Sequence, residues 1–423
     1  MSAEVQHHAL SSERERTTLL VLCAVQFTHI LDFMIMMPLG AQLMRAFGIT
    51  PAQFTHLVAC YGLAAAVSGF AGGFMLDRFD RKRAMLVLYA GFGLATLACG
   101  LARSYETLLF ARLAAGAFGG IASSLVVAMV GDVIPPIRRG RAMSYVMAAF
   151  PVASVLGVPA GLLLAGKFGW HAAFFLLGGC AAFNLVLASF CLPHLRTAVH
   201  DHQPARQMKA ILSDGIHLRA FALGSVLVMA GGLLIPFLAA SFIVNVGLNE
   251  FQLPLAYAVG GIATAATTPL IGWLSDHMDR LRLLTYLSSA AVIVALVITR
   301  LGPSSVAFAC LMMALFMVTM SGRFAPAMAM VSNAVSARYR GGFMSVNSAL
   351  QQAASGLANV LAGFFVTNGA GGHLVGLPTL GYVSAGFFAL TVLLAAQLRT
   401  AAPHVSMPAG KTGEVVAPAE AVA

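Results

Sequence analysis

Charged side chains are scarce. Only 9% of the 423 residues are Asp, Glu, Lys or Arg, where a soluble domain carries about a quarter. No soluble fold of this length hides so much apolar surface, so a soluble enzyme or binding domain is excluded. Cys-x-x-Cys pairs are missing too. The six cysteines (Cys23, Cys60, Cys99, Cys180, Cys191 and Cys310) fall in or at the ends of apolar runs. They read as small packing residues, not as a disulfide or metal framework. No Walker phosphate loop occurs, so ATP is not the direct energy source, and no cofactor is called for. Nor is there the two-residue alternation of a membrane β-barrel.

What is present is hydrophobicity: 59% of residues are apolar and mean hydropathy is +0.86. A helix needs about 20 apolar residues to cross a bilayer. Twelve such runs lie near 18–40, 52–76, 84–102, 107–132, 142–166, 171–192, 220–243, 252–275, 283–300, 304–335, 342–367 and 377–398. Many contain Gly or Pro, which membrane helices tolerate. The polar start, residues 1–17, reads as a tail and not as a cleavable leader.

The basic residues fix an orientation. With the N-terminus in the cytoplasm, about 19 of the 25 fall in cytoplasmic tails and loops and about four in outer loops. Arg112 and Arg323 lie inside spans. This satisfies the positive-inside rule and predicts cytoplasmic termini in the inner membrane. The net charge of +10 is therefore topology, and no basic–aromatic pattern suggests nucleic acid.

The longest polar stretch, 193–219, divides the spans six from six, and the halves repeat at an offset of about 200. "FGITPAQF" (47–54) aligns with "VGLNEFQL" (246–253), "GFMLDRFDRKR" (73–83) with "GWLSDHMDRLR" (272–282), and "RGRAMS" (139–144) with "RGGFMS" (340–345). The expected map is a tail (1–17), a six-helix bundle (18–192), an interdomain loop (193–219), a second bundle (220–400) and a disordered tail (401–423). Duplicated membrane units point to transporters, whose substrate site lies between the repeats.

The chain resembles the major facilitator superfamily over its whole length. That family's loop 2–3 motif is matched by Gly73, Asp77, Arg78, Arg81 and Lys82, with Met75 and Asp80 at variant positions. A second copy reads Gly272, Asp276 and Arg280. Arg112 with Gly116, "GVPAG" (157–161) followed by "GWHAAF" (169–174), and the "SGRFAPAMAM" stretch resemble the drug:proton antiporter and arabinose-efflux-like branch. The branch's adjacent Gly-Pro is here split by Val158, and His171 follows Trp170 where Arg is usual. The resemblance implies twelve transmembrane helices in two pseudo-symmetric six-helix bundles.

Asp32 is the only acidic residue at mid-span. Such a group can load a proton from one side and release it to the other; the competing reading is a paired or neutral Asp that tunes helix packing. His29 shares its helix face. It either contacts Asp32, relays its proton or touches substrate, or is a neutral His held by a backbone carbonyl. The resemblance places spans 1, 4, 7 and 10 around a central cavity, so Asp32, Arg112 and Arg323 are candidate cavity residues. Arg112 is a candidate partner of Asp32, and Arg323 either holds a substrate group or bonds helix carbonyls. The resemblance also implies a conformational latch of Asp77, Arg81 and Asp132 beside the start of span 11 at Gly341 and Gly342. Gly69, Gly73, Gly116, Gly120, Gly157 and Gly161 suit close helix packing, and Pro159 should bend span 5. His194 and "HDH" (200–202) lie in the Pro-containing interdomain loop with no anchoring pattern, so no metal site is expected there.

The function expected is secondary active export of a small molecule (drug, sugar or metabolite) in exchange for protons, by a monomer in the lipid bilayer. An uncoupled facilitator is the alternative. A polytopic membrane enzyme or a sensor is disfavoured, because the twelve His are scattered and no soluble output domain follows.

Overall fold

The computed structural model describes residues 12–75, 79–193, 204–336, 339–369 and 372–407. Apart from a two-residue hairpin, the described secondary structure is helical. Among the described residues, eleven helices are long and apolar enough to cross a membrane. Span 11, Arg340–Phe365, is as long but more polar, and completes the set of twelve.

Spans 1 to 4 are Ser12–Ile35, Pro51–Met75, Arg81–Gly100 and Tyr105–Val133. Span 5 is assembled from Pro136–Met147, Ala149–Val152, a π-helical turn at Ala153–Gly157 and Val158–Phe168. The π turn has a local cause: Pro159 has no N–H for the Val155 carbonyl, so the ladder must re-register ahead of it. Span 6 is His171–Cys191. In the second half, span 7 is Gly215–Gly232 plus Ile235–Val244, span 8 Leu253–His277, span 9 Arg280–Ile298, span 10 Val306–Gly322 plus Phe324–Asn333, and span 12 Leu377–Ala401. Spans 7 and 10 break where Pro236 and Pro326 deny a hydrogen bond to the Gly232 and Gly322 carbonyls. Residues 204–213 of the interdomain stretch form a further short helix. His194, residues 200–202 and residues 408–423 of the expected tail lie outside the described residues; residues 403–406 of that tail, expected to be disordered, instead form a helical turn with Val405 buried.

The duplication is visible in local geometry. Asp80 caps span 3 by accepting from the Arg83 amide at 2.9 Å, and Asp279 caps span 9 by accepting from the Arg282 amide at 3.0 Å. At the other ends, Thr50 and Gln53 exchange hydrogen bonds ahead of span 2, as Asn249 and Gln252 do ahead of span 8.

With twelve crossings, the first and last described residues, Ser12 and Met407, lie on one face, called the terminal face; the opposite is the distal face. The halves meet mainly along spans 2 and 11 and spans 5 and 8. The close approaches run from the distal end to mid-span. Gly363 lies on Ala52 and Thr55, Gly356 on Leu63, and Gly261 on Ser154 and Val155. Helix Gly40–Phe47 packs on Ile235–Val244, and Arg45 and Gln42 both bind Glu250 across the halves.

Core organisation follows the same division. The largest apolar cluster draws Met36, Leu39, Leu43 and Phe54 together with Phe237, Leu248 and Leu253, so it bridges the halves distally. Toward the terminal face it gives way to two clusters, one per bundle. Exposed Phe190, Phe364 and Phe168 belong to an apolar exterior that suits lipid.

Candidate functional site

Asp32 sits three residues before the end of the first helix, and Arg112 sits eight residues into span 4. Antiparallel packing brings these positions to the same depth. The Arg112 Nη1 donates to Asp32 Oδ2 at 2.8 Å and reaches the Asp32 carbonyl at 3.5 Å. The Thr96 hydroxyl, on span 3, donates to Asp32 Oδ1 at 3.3 Å. Both members of the ion pair are 0% exposed.

The second face of the guanidinium is covered by an aromatic ring. Arg112 Cζ lies 4.3 Å from the Tyr61 ring centroid, a cation–π contact. Tyr61 in turn places its hydroxyl 2.9 Å from His29 Nδ1. The result is a continuous line from Thr96 through Asp32, Arg112 and Tyr61 to His29, built entirely from spans 1 to 4. Close packing makes it possible. A Cβ on Gly116 or Gly120 would collide with the span 2 backbone at Tyr61 or Ala65.

His29 therefore bonds Tyr61, a residue that sequence reasoning did not single out; Thr96 was missed as well. Helix spacing puts His29 and Asp32 on one face, but it does not say which neighbour that face meets. Isolated polar residues in spans 2 and 3 were the available signal.

Arg323, also 0% exposed, lies at the break in span 10. Its Nη2 reaches Met320 Sδ at 3.2 Å, and its Cζ stands 4.3 Å over the Phe388 ring of span 12. A Cβ on Gly231 of span 7 would come within 3.7 Å of Nη2. The Nε and Nη1 find no acceptor among the described residues. Asp32, Arg112 and Arg323, all expected at a central cavity, thus carry no exposed surface in this conformation. The first two face the interior of their own bundle because the ion pair draws each away from water.

At the terminal face, Arg81 Nε donates to Asp132 Oδ2 at 3.1 Å and Arg138 pairs with Glu15 at 2.9 Å. Asp77 and Arg78 lie outside the described residues. In the second half Arg280 donates to the Val405 carbonyl at 3.2 Å, Asp279 pairs with Arg399 at 3.5 Å, and Asp276 is exposed. The two copies of the motif are thus closed by different partners.

Two like helical bundles, joined along spans 2/11 and 5/8 and enclosing buried charge, have the architecture of membrane transporters built from repeats. The chain belongs to the Major Facilitator Superfamily, whose family model matches residues 22–358 and 221–421. It is 30% identical over 173 residues to the uncharacterized MFS-type transporter YceJ of Bacillus subtilis, covering 41% of this chain and 44% of that protein. It is 26% identical over 199 residues to Multidrug resistance protein 2 of the same organism, covering 47% and 50%. The chain thus spans half or less of the length of these curated relatives. Among solved structures it resembles a bacterial homolog of the human lysosomal transporter Spinster, in an inward-facing and unoccupied conformation. The TM-score is 0.76 at 15% identity, over 94% of this chain and 99% of that one. At that identity the likeness is one of fold.

Proposed function

We propose that the chain is a secondary active exporter that moves a small molecule out of the cytoplasm in exchange for protons, with Asp32 and Arg112 as the coupling pair. The observation that carries this reading is an ion pair with 0% exposure on both sides, made between spans 1 and 4. Burying two charges is expensive, and breaking such a pair leaves one charge uncompensated. A proton on Asp32 removes the attraction and releases Arg112, so protonation and helix packing are linked. Thr96 then orients the carboxyl, and Tyr61 keeps the freed guanidinium under a π face.

The charge asymmetry of the loops supports cytoplasmic termini in a multi-pass inner-membrane protein, which on this reading acts as a monomer. On that orientation the bridged distal face is the outside. The conformation then faces the cytoplasm, where an exporter collects its cargo. The Arg81–Asp132 pair is formed in this conformation; the latch of the opposite state is Asp77 against the start of span 11. A relative named a multidrug resistance protein supports export.

The test uses everted vesicles energised to an acid interior, with a compound panel added and release of the pH gradient followed. Wild type should respond to at least one compound. Asp32→Asn should insert normally and give no response, and Asp32→Glu should restore part of it. A wild-type-like, gradient-dependent response from Asp32→Asn overturns the mechanism.

A further inference from the structure

The other deeply buried arginines have oxygen partners. Arg112 has Asp32, Arg81 has Asp132 and Arg280 has the Val405 carbonyl. Arg323 has a thioether and a ring face, and among the described residues no oxygen. The acids among the described residues of the second half are committed elsewhere or remote. Asp214 and Asp279 cap helices, Glu250 is bound by Gln42 and Arg45, and Asp276 is exposed at the end of span 8. A cation held in low dielectric without a counter-charge is strongly unfavourable. The site is therefore built for an anion that arrives from outside the chain.

Its surroundings say the same. Arg323 adjoins Gly231, one residue before the break in span 7, and itself stands at the break in span 10. The ten-residue half-helices Ile235–Val244 and Phe324–Asn333 start there. On span 11, Ala358 faces Gly232. The remaining walls, Met320 and Phe388, are apolar.

We infer that Arg323 is the receptor for the negative charge of the transported molecule, a small organic monocarboxylate with an apolar ring or chain. This rests on the chain being a transporter but not on proton coupling. One carboxylate matches one guanidinium. A neutral sugar leaves the charge uncompensated, and a cationic drug is repelled. Bending at Pro236 and Pro326 gives the anion its way in.

The test is thermal unfolding of the purified full chain in mild detergent at fixed pH, without a gradient. The probes are benzoate, phenylacetate and hexanoate, with the matching neutral amides, benzylammonium and chloride as comparisons. At least one carboxylate should raise Tm by ~2 °C or more, and its amide and benzylammonium should not. Arg323→Met exchanges the lone charge for an apolar side chain and should stay folded while losing that shift. Arg323→Lys should keep part of it. No shift from any of the three carboxylates overturns the inference, as does an equal shift from an amide or a shift retained in Arg323→Met. Unfolding of Arg323→Met would make the guanidinium structural and overturns it too. A shift from chloride at lower concentration than any carboxylate identifies a resident inorganic ion instead of cargo. Failure of the Asp32 vesicle assay leaves these outcomes untouched, because no gradient is present.

Discussion

The Asp32–Arg112 pair is best tested by a double-mutant cycle on stability. The contact at 2.8 Å puts the charge centres about 4 Å apart, worth about 4 kcal/mol at an effective dielectric constant of 20. Removing one partner strands the other in a site with no exposed surface, a loss of about 3–5 kcal/mol. Asp32→Leu should show that full loss, because a guanidinium cannot shed its charge. Arg112→Met should lose less, because a lone buried carboxyl can neutralise itself by taking up a proton. The double variant replaces the pair with apolar side chains of similar size and should return to within about 1 kcal/mol of wild type. Denaturant unfolding in mild detergent reads all four proteins. A coupling of at least about 3 kcal/mol, insensitive to salt because the pair is buried, is expected. Losses that simply add, within about 0.5 kcal/mol, would refute the pair and the coupling mechanism built on it.

Two further expectations concern the frame around the pair. Gly116→Ala drives a methyl group into the Tyr61 backbone and should cost about 1–3 kcal/mol. Gly131→Ala, where an added Cβ meets nothing within 4 Å, should be neutral or slightly stabilising; equal losses would contradict the helix contact. At the distal face, Arg45→Glu should loosen the bridge to Glu250 by about 0.2–1 kcal/mol, less at high salt. The readout is faster thiol labelling of Thr55→Cys in a cysteine-free background, and the swap Arg45→Glu/Glu250→Arg should slow it again. Unchanged labelling in the single variant would separate this contact from distal closure.

Much of the frame is legible in the order of residues alone. Apolar run length gives the spans, because a bilayer allows little else. The repeat gives the division, and its capping residues, Asp80 with Asp279 and Gln53 with Gln252, keep the same local bonds in space. The pairing of Asp32 with Arg112 was also within reach, as two rare charges on neighbouring cavity spans. Rotation of each helix about its own axis was not. Spacing places His29 beside Asp32, yet only packing turns it to Tyr61. Thr96 and Phe388 sit on spans 3 and 12, which no cavity argument would choose. Arg45 and Glu250 are 205 residues apart, and each alone is an ordinary loop charge. Pro236 and Pro326 did carry a usable signal, since each predicts an orphaned carbonyl four residues earlier, and with it the breaks beside Arg323.

Span 11 has a consequence for how the protein is made. It carries Asn347, Gln351, Ser355 and Asn359 at every fourth position and falls outside the eleven helices that are apolar enough to span alone. A segment this polar partitions poorly from the translocation channel into lipid by itself. Its principal partner is span 2, synthesised nearly 300 residues earlier and already in the bilayer when span 11 emerges. The first half therefore acts as an intramolecular chaperone for the second, and the order of the halves along the chain becomes part of the folding mechanism.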